Sequence, residues 1–249
     1  MIHSFLLIGQ SNMAGRGNID EAVEFDTKRI KIMRNGRWLN MFRPINPDRR
    51  FSGVNLAESF AEKYANKYDV DVGLICCADG GTSLDQWKKG SILFDNAVYQ
   101  GKLAKRTSCI AGVLWHQGEA DCAQELYSTY ASRFQVFMND LRSELDLYEV
   151  PFLLGGLGDF LPNCTLDEKL KNYMHVNEAL KTVAQNNPMT GFVPANGLGA
   201  NGDNLHFNSK ALYEFGLRYF NEFEKFETQV KLNDKIEYDD QIRSPMESL

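Results

Sequence analysis

The sequence predicts an α/β protein, a three-layer α/β/α sandwich around a central parallel sheet. Short apolar runs alternate with segments of helical periodicity along most of the 249 residues, and strands separated by helices pair in parallel through right-handed crossovers. Several of these runs stop abruptly in loops rich in Gly, Ser, Gln or Glu, which a parallel sheet gathers along one edge, where ligands bind. No Pro/Gly/Ser-rich linker divides the chain, so residues 1–224 are expected to form one domain. A polar, non-periodic tail, 225–249, is expected to be a surface strap or disordered.

The first strand is Phe5–Ile8, an apolar run ended at once by Gly9-Gln10-Ser11-Asn12-Met13-Ala14-Gly15. Arg29–Arg34 reads as a short strand, and Asn35-Gly36 is a turn signal for a hairpin closed by Trp38 and Leu39. Residues 43–53, with Pro44 and Pro47, read as a loop. Leu56, Phe60, Ala61, Tyr64 and Tyr68 recur at helical spacing, which predicts a core-facing helix over 56–68. Val70–Cys77 is the next buried strand, ending in Ala78-Asp79-Gly80-Gly81-Thr82-Ser83. A helix over 96–105 leads to the strand Ile110–Trp115, which closes in His116-Gln117-Gly118-Glu119-Ala120-Asp121. A long amphipathic helix over 125–147, a strand over 151–157, a helix over 166–185 and a short strand over 191–194 follow. After Asp203-Asn204-Leu205-His206-Phe207 the last helix covers 211–223, with Asn208 or Ser209 as its cap.

Composition narrows the function. A net charge of −6 argues against a general nucleic-acid surface, because phosphate binding draws on excess Lys and Arg. Cys76, Cys77, Cys109, Cys122 and Cys164 are odd in number and lack zinc spacing, so buried free thiols in a reducing compartment are expected. The amino terminus lacks the pattern of a secretory signal and no segment has the length to span a bilayer, which reads as cytoplasmic unless a leader was trimmed.

Ser11, at a strand's carboxyl end, is a candidate nucleophile, although taken alone the stretch favours a serine that caps the following helix. A serine hydroxyl needs a base to take its proton, and an imidazole base needs a carboxylate to fix its tautomer. Asp203 and His206 can supply both from one loop, the carboxylate reaching Nδ1 and leaving Nε2 free to face Ser11. Acyl transfer also needs donors where the oxyanion develops. The backbone N–H of Ser11, the Gly80-Gly81 turn and the Gln117 amide are the candidates.

Gly9-Gln10-Ser11-Asn12-Met13, Gly80-Gly81-Thr82-Ser83, Trp115-His116-Gln117-Gly118-Glu119-Ala120-Asp121 and Asp203-x-x-His206-Phe207 occur in an order that resembles the SGNH/GDSL-type hydrolase superfamily. More narrowly the chain is similar to the sialate O-acetylesterase and acetylxylan esterase branch, carbohydrate esterase family six. The resemblance implies a flavodoxin-like fold and a serine esterase, free of metal and cofactor, that removes acetyl groups from small acetylated saccharides. It makes Ser11 the nucleophile, His206 the base and Asp203 its orienting carboxylate, with Ser11, Gly80 or Gly81, and Gln117 around the oxyanion. Gln117 stands where many members of the wider superfamily use asparagine, a departure that this branch shares. Glu119 could hold its loop, bind a sugar hydroxyl or compete with Asp203, and loop support is the expected role. Gln10 and Trp87 are expected at the substrate or in support of the loops, and Trp87, Trp115 and Phe207 are candidate walls of a sugar-sized cleft.

Two rival classes bear on the same residues. The glycine loop at Gly9–Gly15 invites a nucleotide-binding reading, but it lacks the Lys-Ser/Thr pair of a P-loop and the Gly-x-Gly-x-x-Gly spacing. A non-catalytic carbohydrate-binding protein would keep the fold while its triad decayed, whereas Ser11, Asp203 and His206 are all present. A general short-chain esterase of the same superfamily is the third alternative. The sequence carries no signal for an oligomeric state.

Overall fold

The computed structural model describes residues 1–233. In chain order the elements are β1 (Ile2–Gly9), α1 (Ser11–Ala14), β2 (Ile30–Arg34), β3 (Arg37–Asn40), α2 (Leu56–Tyr68), β4 (Asp71–Cys76), α3 (Ile92–Ala104), β5 (Cys109–His116), α4 (Gln124–Tyr127), α5 (Tyr130–Leu145), β6 (Phe152–Gly155), α6 (Tyr173–Asn186), β7 (Thr190–Val193) and α7 (Ser209–Glu224). One seven-stranded sheet runs β3-β2-β4-β1-β5-β6-β7. All neighbours are parallel except the β2–β3 hairpin, so the expected parallel sheet carries one antiparallel strand at its edge.

Helices α2 and α7 pack together on one face of the sheet, and α3, α5 and α6 cover the other. On the first face Phe5 meets Phe60, Tyr64 and Phe223 edge-on. On the second, Trp115 packs against Trp87, Phe134 and Phe137. Strands β1 and β5 are buried almost throughout, which explains why they read as unbroken apolar runs rather than alternating ones.

Helix α2 starts and stops where its periodicity indicated, because its ends are chemically marked. Asn55 and Glu58 form a reciprocal capping box and Asp69 ends the helix in the left-handed region. The Asn55 amide also donates to the Met13 carbonyl, which fastens the start of α2 to α1.

Other boundaries moved for identifiable reasons. Helix α3 begins four residues before the expected Asn96, at Ile92; Ser91 caps it, but Ile92 is exposed and masks the amphipathic pattern. The long helix expected over 125–147 is broken into α4 and α5 at Ser128-Thr129. There Arg133 donates to the Leu126 carbonyl and to the Thr129 hydroxyl, side-chain bonds that compete with helix continuation. The helix expected from 166 opens as a 3-10 turn at Glu168–Asn172 before becoming α6. The five cysteines are free thiols, four of them buried, and burial pushes the half-buried Cys76 up to about 12.

After α7 the chain runs back over the molecule as far as the described residues go: Lys231 donates its backbone N–H to Glu149 O, and Val230 and Leu232 pack against the core. The rest of the expected tail, 234–249, lies outside the described residues. No helix among the described residues is long and apolar enough to cross a membrane.

The carboxyl end of β1 packs tightly against β5. Gly9 has φ of 132°, and a Cβ there would lie 2.1 Å from the His116 carbonyl oxygen of β5. That closeness lets Gln10 N–H donate to His116 O at 2.9 Å and directs the next residue out of the sheet. Gly9→Ala should therefore lower the unfolding free energy by roughly 1–3 kcal/mol, the usual cost of backbone strain of this kind. Urea unfolding checks it; an unchanged midpoint would contradict the tight approach.

Candidate active site

Ser11 is the first residue of α1, with Gln10 at the cap position. Its hydroxyl is therefore not spent on capping, and it is 7% exposed. Ser11 Oγ lies 3.0 Å from His206 Nε2, and His206 Nδ1 lies 2.7 Å from Asp203 Oδ2. The tautomer that satisfies both contacts donates Nδ1–H to Asp203 and accepts the serine hydroxyl at Nε2.

Asp203 Oδ1 accepts the N–H groups of Leu205 and His206, closing a turn in which Asn204 has φ of 50°. Partial burial pushes the Asp203 carboxyl up, but the bonds from the His206 ring and these two N–H groups outweigh it and hold the carboxyl below its ordinary range.

What holds the turn to Ser11 is Asn12. Its Oδ1 accepts Phe207 N–H at 3.1 Å and its Nδ2 donates to Leu205 O at 3.2 Å, so it grips the chain on both sides of His206. The same Nδ2 donates to Glu119 Oε1 at 2.6 Å. Glu119 is 3% exposed and sits under Asn12, while Asp203 occupies the Nδ1 side of His206. Among the roles open to Glu119, the geometry fits loop support. Sequence reasoning missed Asn12, whose signal was present only as its place next to Ser11.

The glycine loop after β4 stands beside the serine. A Cβ on Gly80 would lie 3.5 Å from Ser11 Cβ and 2.5 Å from Arg16 Nη2, so a larger residue here would have to displace the Arg16 guanidinium from Asp48. Gly80 N–H donates to Asp48 Oδ2 at 2.8 Å. The N–H groups of Ser11 and Gly81 have no acceptor among the described residues.

Gln117 lies elsewhere than expected. It is fully buried, its Nε2 donates to Thr82 O at 3.0 Å and Asp121 Oδ2 at 2.7 Å, and its Oε1 accepts from Tyr130 at 2.9 Å. Both amide hydrogens are thus spent inside the protein, and Gln117 props the glycine loop instead of facing an acyl group. Gly80, whose N–H is taken by Asp48, likewise drops out as a donor. Gln10 Oε1 accepts the N–H groups of Gly118 and Ala120 at 3.3 and 3.4 Å, which joins the loops after β1 and β5. Trp87, Trp115 and Phe207 are each fully buried and line no cleft. Trp87 instead donates its indole N–H to Thr82 Oγ1 at 3.1 Å, a second prop under the glycine loop. Among the described residues no group of three or more His, Cys, Asp or Glu side chains is placed to hold a metal.

The mostly parallel seven-stranded sheet with helices on both faces is the SGNH-type α/β fold, and it carries the serine, histidine and carboxylate at its carboxyl edge. Residues 1–225 match the family model described as carbohydrate esterase, sialic acid-specific acetylesterase, and the chain belongs to that family. A probable carbohydrate esterase of Arabidopsis thaliana, At4g34215, is 27% identical over 242 residues, covering 86% of each chain. The X-ray structure of that Arabidopsis protein superposes with a TM-score of 0.80 over 90% of this chain and 98% of its own, at 25% identity. NanS shares the fold at a TM-score of 0.68 and 18% identity, covering 91% of this chain and 98% of its own. A carbohydrate acetylesterase from Xanthomonas citri shares it at a TM-score of 0.60 and 16% identity, covering 90% of this chain and 57% of its own.

The Asp48 contact that shapes the glycine loop has a pH signature. Burial pushes its carboxyl up, but hydrogen bonds from Arg16 and Ser52, the Arg16 charge and Gly80 N–H together bring it below its ordinary 3.8. A depressed folded-state pKa gives stability that is present above the unfolded value and lost as pH falls through the folded one. Asp48→Asn should therefore be less stable than the parent protein at neutral pH, with the gap narrowing on acidification below about pH 4. Urea midpoints at several pH values measure this; a gap that widens toward acid would contradict it.

Proposed function

We propose that this chain is a serine esterase that removes O-acetyl groups from acetylated carbohydrates, such as acetylated xylo-oligosaccharides or sialic acids, through an acetyl-enzyme on Ser11. The observation that carries the reading is the unbroken line from Asp203 through His206 to the Ser11 hydroxyl, at 2.7 and 3.0 Å, in a chain of a carbohydrate esterase family.

In the first step Ser11 Oγ attacks the acetyl carbonyl carbon while its proton passes to His206 Nε2. Asp203, kept ionised by its hydrogen bonds, stabilises the imidazolium. The tetrahedral oxyanion takes hydrogen bonds from the N–H groups of Ser11 and Gly81, neither of which has an acceptor among the described residues. Collapse breaks the bond from the carbonyl carbon to the sugar oxygen, and His206 gives that oxygen the proton. Water then attacks the acetyl-enzyme with His206 as base, releasing acetate and restoring Ser11.

Ser11→Ala should keep its fold and lose roughly 10⁴-fold or more in kcat for acetate release from an activated ester. Asp203→Asn should lose on the order of 10²–10⁴-fold in kcat with KM little changed, because it presents the wrong ring tautomer to the serine. Undiminished turnover by folded Ser11→Ala would overturn the proposal.

A further inference from the structure

With Trp87, Trp115 and Phe207 buried in the core, the aromatic surface beside Ser11 has to come from another part of the chain. The loop over residues 43–53 supplies it. This loop is tied down along its length: Arg43 pairs with the buried Glu58 at 2.8 Å, and Asn46 exchanges two hydrogen bonds with the Ala78 backbone. Asp48 holds Arg16 and Gly80, Ser52 holds Asp48 and Arg49, and Gly53 N–H reaches Gly15 O at 3.1 Å. Within that fixed segment Phe51 is 69% exposed, the most exposed aromatic side chain among the described residues. Leaving a phenyl ring in water on a loop held by these bonds forgoes the gain from burying it.

The ring has a definite place. Its centroid is 5.2 Å from the Arg16 guanidinium carbon, and Arg16 in turn touches the Gly80 position that abuts Ser11. Phe51 therefore stands on the same rim as the nucleophile, separated from it by the Arg16–Asp48 pair. That pair is only 4% and 5% exposed, so it serves as a fixed floor. Next to it, Arg49 reaches Asp79 Oδ1 and Gly80 O at 2.8 and 2.9 Å while remaining 42% exposed, which leaves polar edges facing outward. An apolar face flanked by charged, partly exposed hydrogen-bonding groups suits a ligand with C–H groups on one face and hydroxyls around its edge. A pyranose ring has that character.

We propose that Phe51, with Arg49 and Asp79 at its side, forms a saccharide subsite in which the sugar ring bearing the acetyl group stacks on the phenyl face while its ester lies over Ser11. This deepens the esterase reading and rests on it. The subsite selects pyranoside esters over acetate esters of other alcohols.

The test uses two esters, a mono-O-acetylated methyl xyloside and 4-nitrophenyl acetate, and two readouts. In turnover, Phe51→Ala should lower kcat/KM for the xyloside on the order of tenfold more than for the nitrophenyl ester, mainly through KM, with Phe51→Trp restoring it. In binding, calorimetric titration of Ser11→Ala with the acetylated xyloside should give a Kd that weakens by a similar factor in Ser11→Ala/Phe51→Ala. Equal Kd values, no binding to Ser11→Ala, or equal losses on the two esters would overturn the subsite. So would a rise in KM in Asn96→Ala/Gln100→Ala but not in Phe51→Ala, which would move the sugar to the cleft of about 370 Å³ beyond the β2 and β4 ends. Xyloside binding that depends on Phe51 in a protein that turns over neither ester would sink the esterase reading and leave the subsite standing.

Discussion

The hydrogen bond from Ser11 to His206 joins side chains 195 positions apart in sequence, and most of the polar order around the sheet's carboxyl edge serves to make it. Neither residue could hold the other in place alone. Asn12 fixes the distance by gripping Leu205 O and Phe207 N–H, and Glu119 fixes Asn12 from below. Asp203 performs two tasks with its two oxygens, closing the turn with Oδ1 and orienting the imidazole with Oδ2. A buried carboxylate is costly unless it is hydrogen-bonded, so Glu119 makes the position of Asn12 expensive to abandon. The imidazole reaches the serine because α1 and the loop before α7 are fastened together through this short polar chain.

A second network sets the glycine loop. Asp121, fully buried, accepts from Leu84 N–H, Gln117 and Arg133, and Gln117 accepts in turn from Tyr130. Together with Trp87 on Thr82 these contacts brace one side of the loop, and Asp48 with Arg49 braces the other. The free N–H groups of Ser11 and Gly81 are thus presented by a framework that is already satisfied. Such preorganisation makes fixed dipoles effective at a developing charge, since little reorganisation is needed when the charge appears.

Much of this architecture was legible in the residues. The first strand, the helix over 56–68 and the Asp203-x-x-His206 turn are written in local patterns that the tertiary structure leaves intact. What escaped depended on how polar groups are shared between distant loops. Gln117 has the right chemistry for an oxyanion donor, but Thr82 and Asp121, thirty-five and four positions away, take its hydrogens. Trp87 and Phe207 suggested a cleft by type alone, whereas volume sent them into the core. Phe51 drew no notice because a lone phenylalanine in a loop has no periodicity to betray it. The break between α4 and α5 went unseen because Thr129 and Arg133 act through side-chain bonds that an apolar pattern does not register.

The account stands on Ser11 being an activated hydroxyl, and the most direct measurement is labelling by a serine-reactive phosphonate mapped by peptide mass spectrometry. The account predicts one adduct per chain, on Ser11, and its loss in His206→Ala. Labelling on another residue, or labelling of Ser11 that proceeds equally fast without His206, would contradict it.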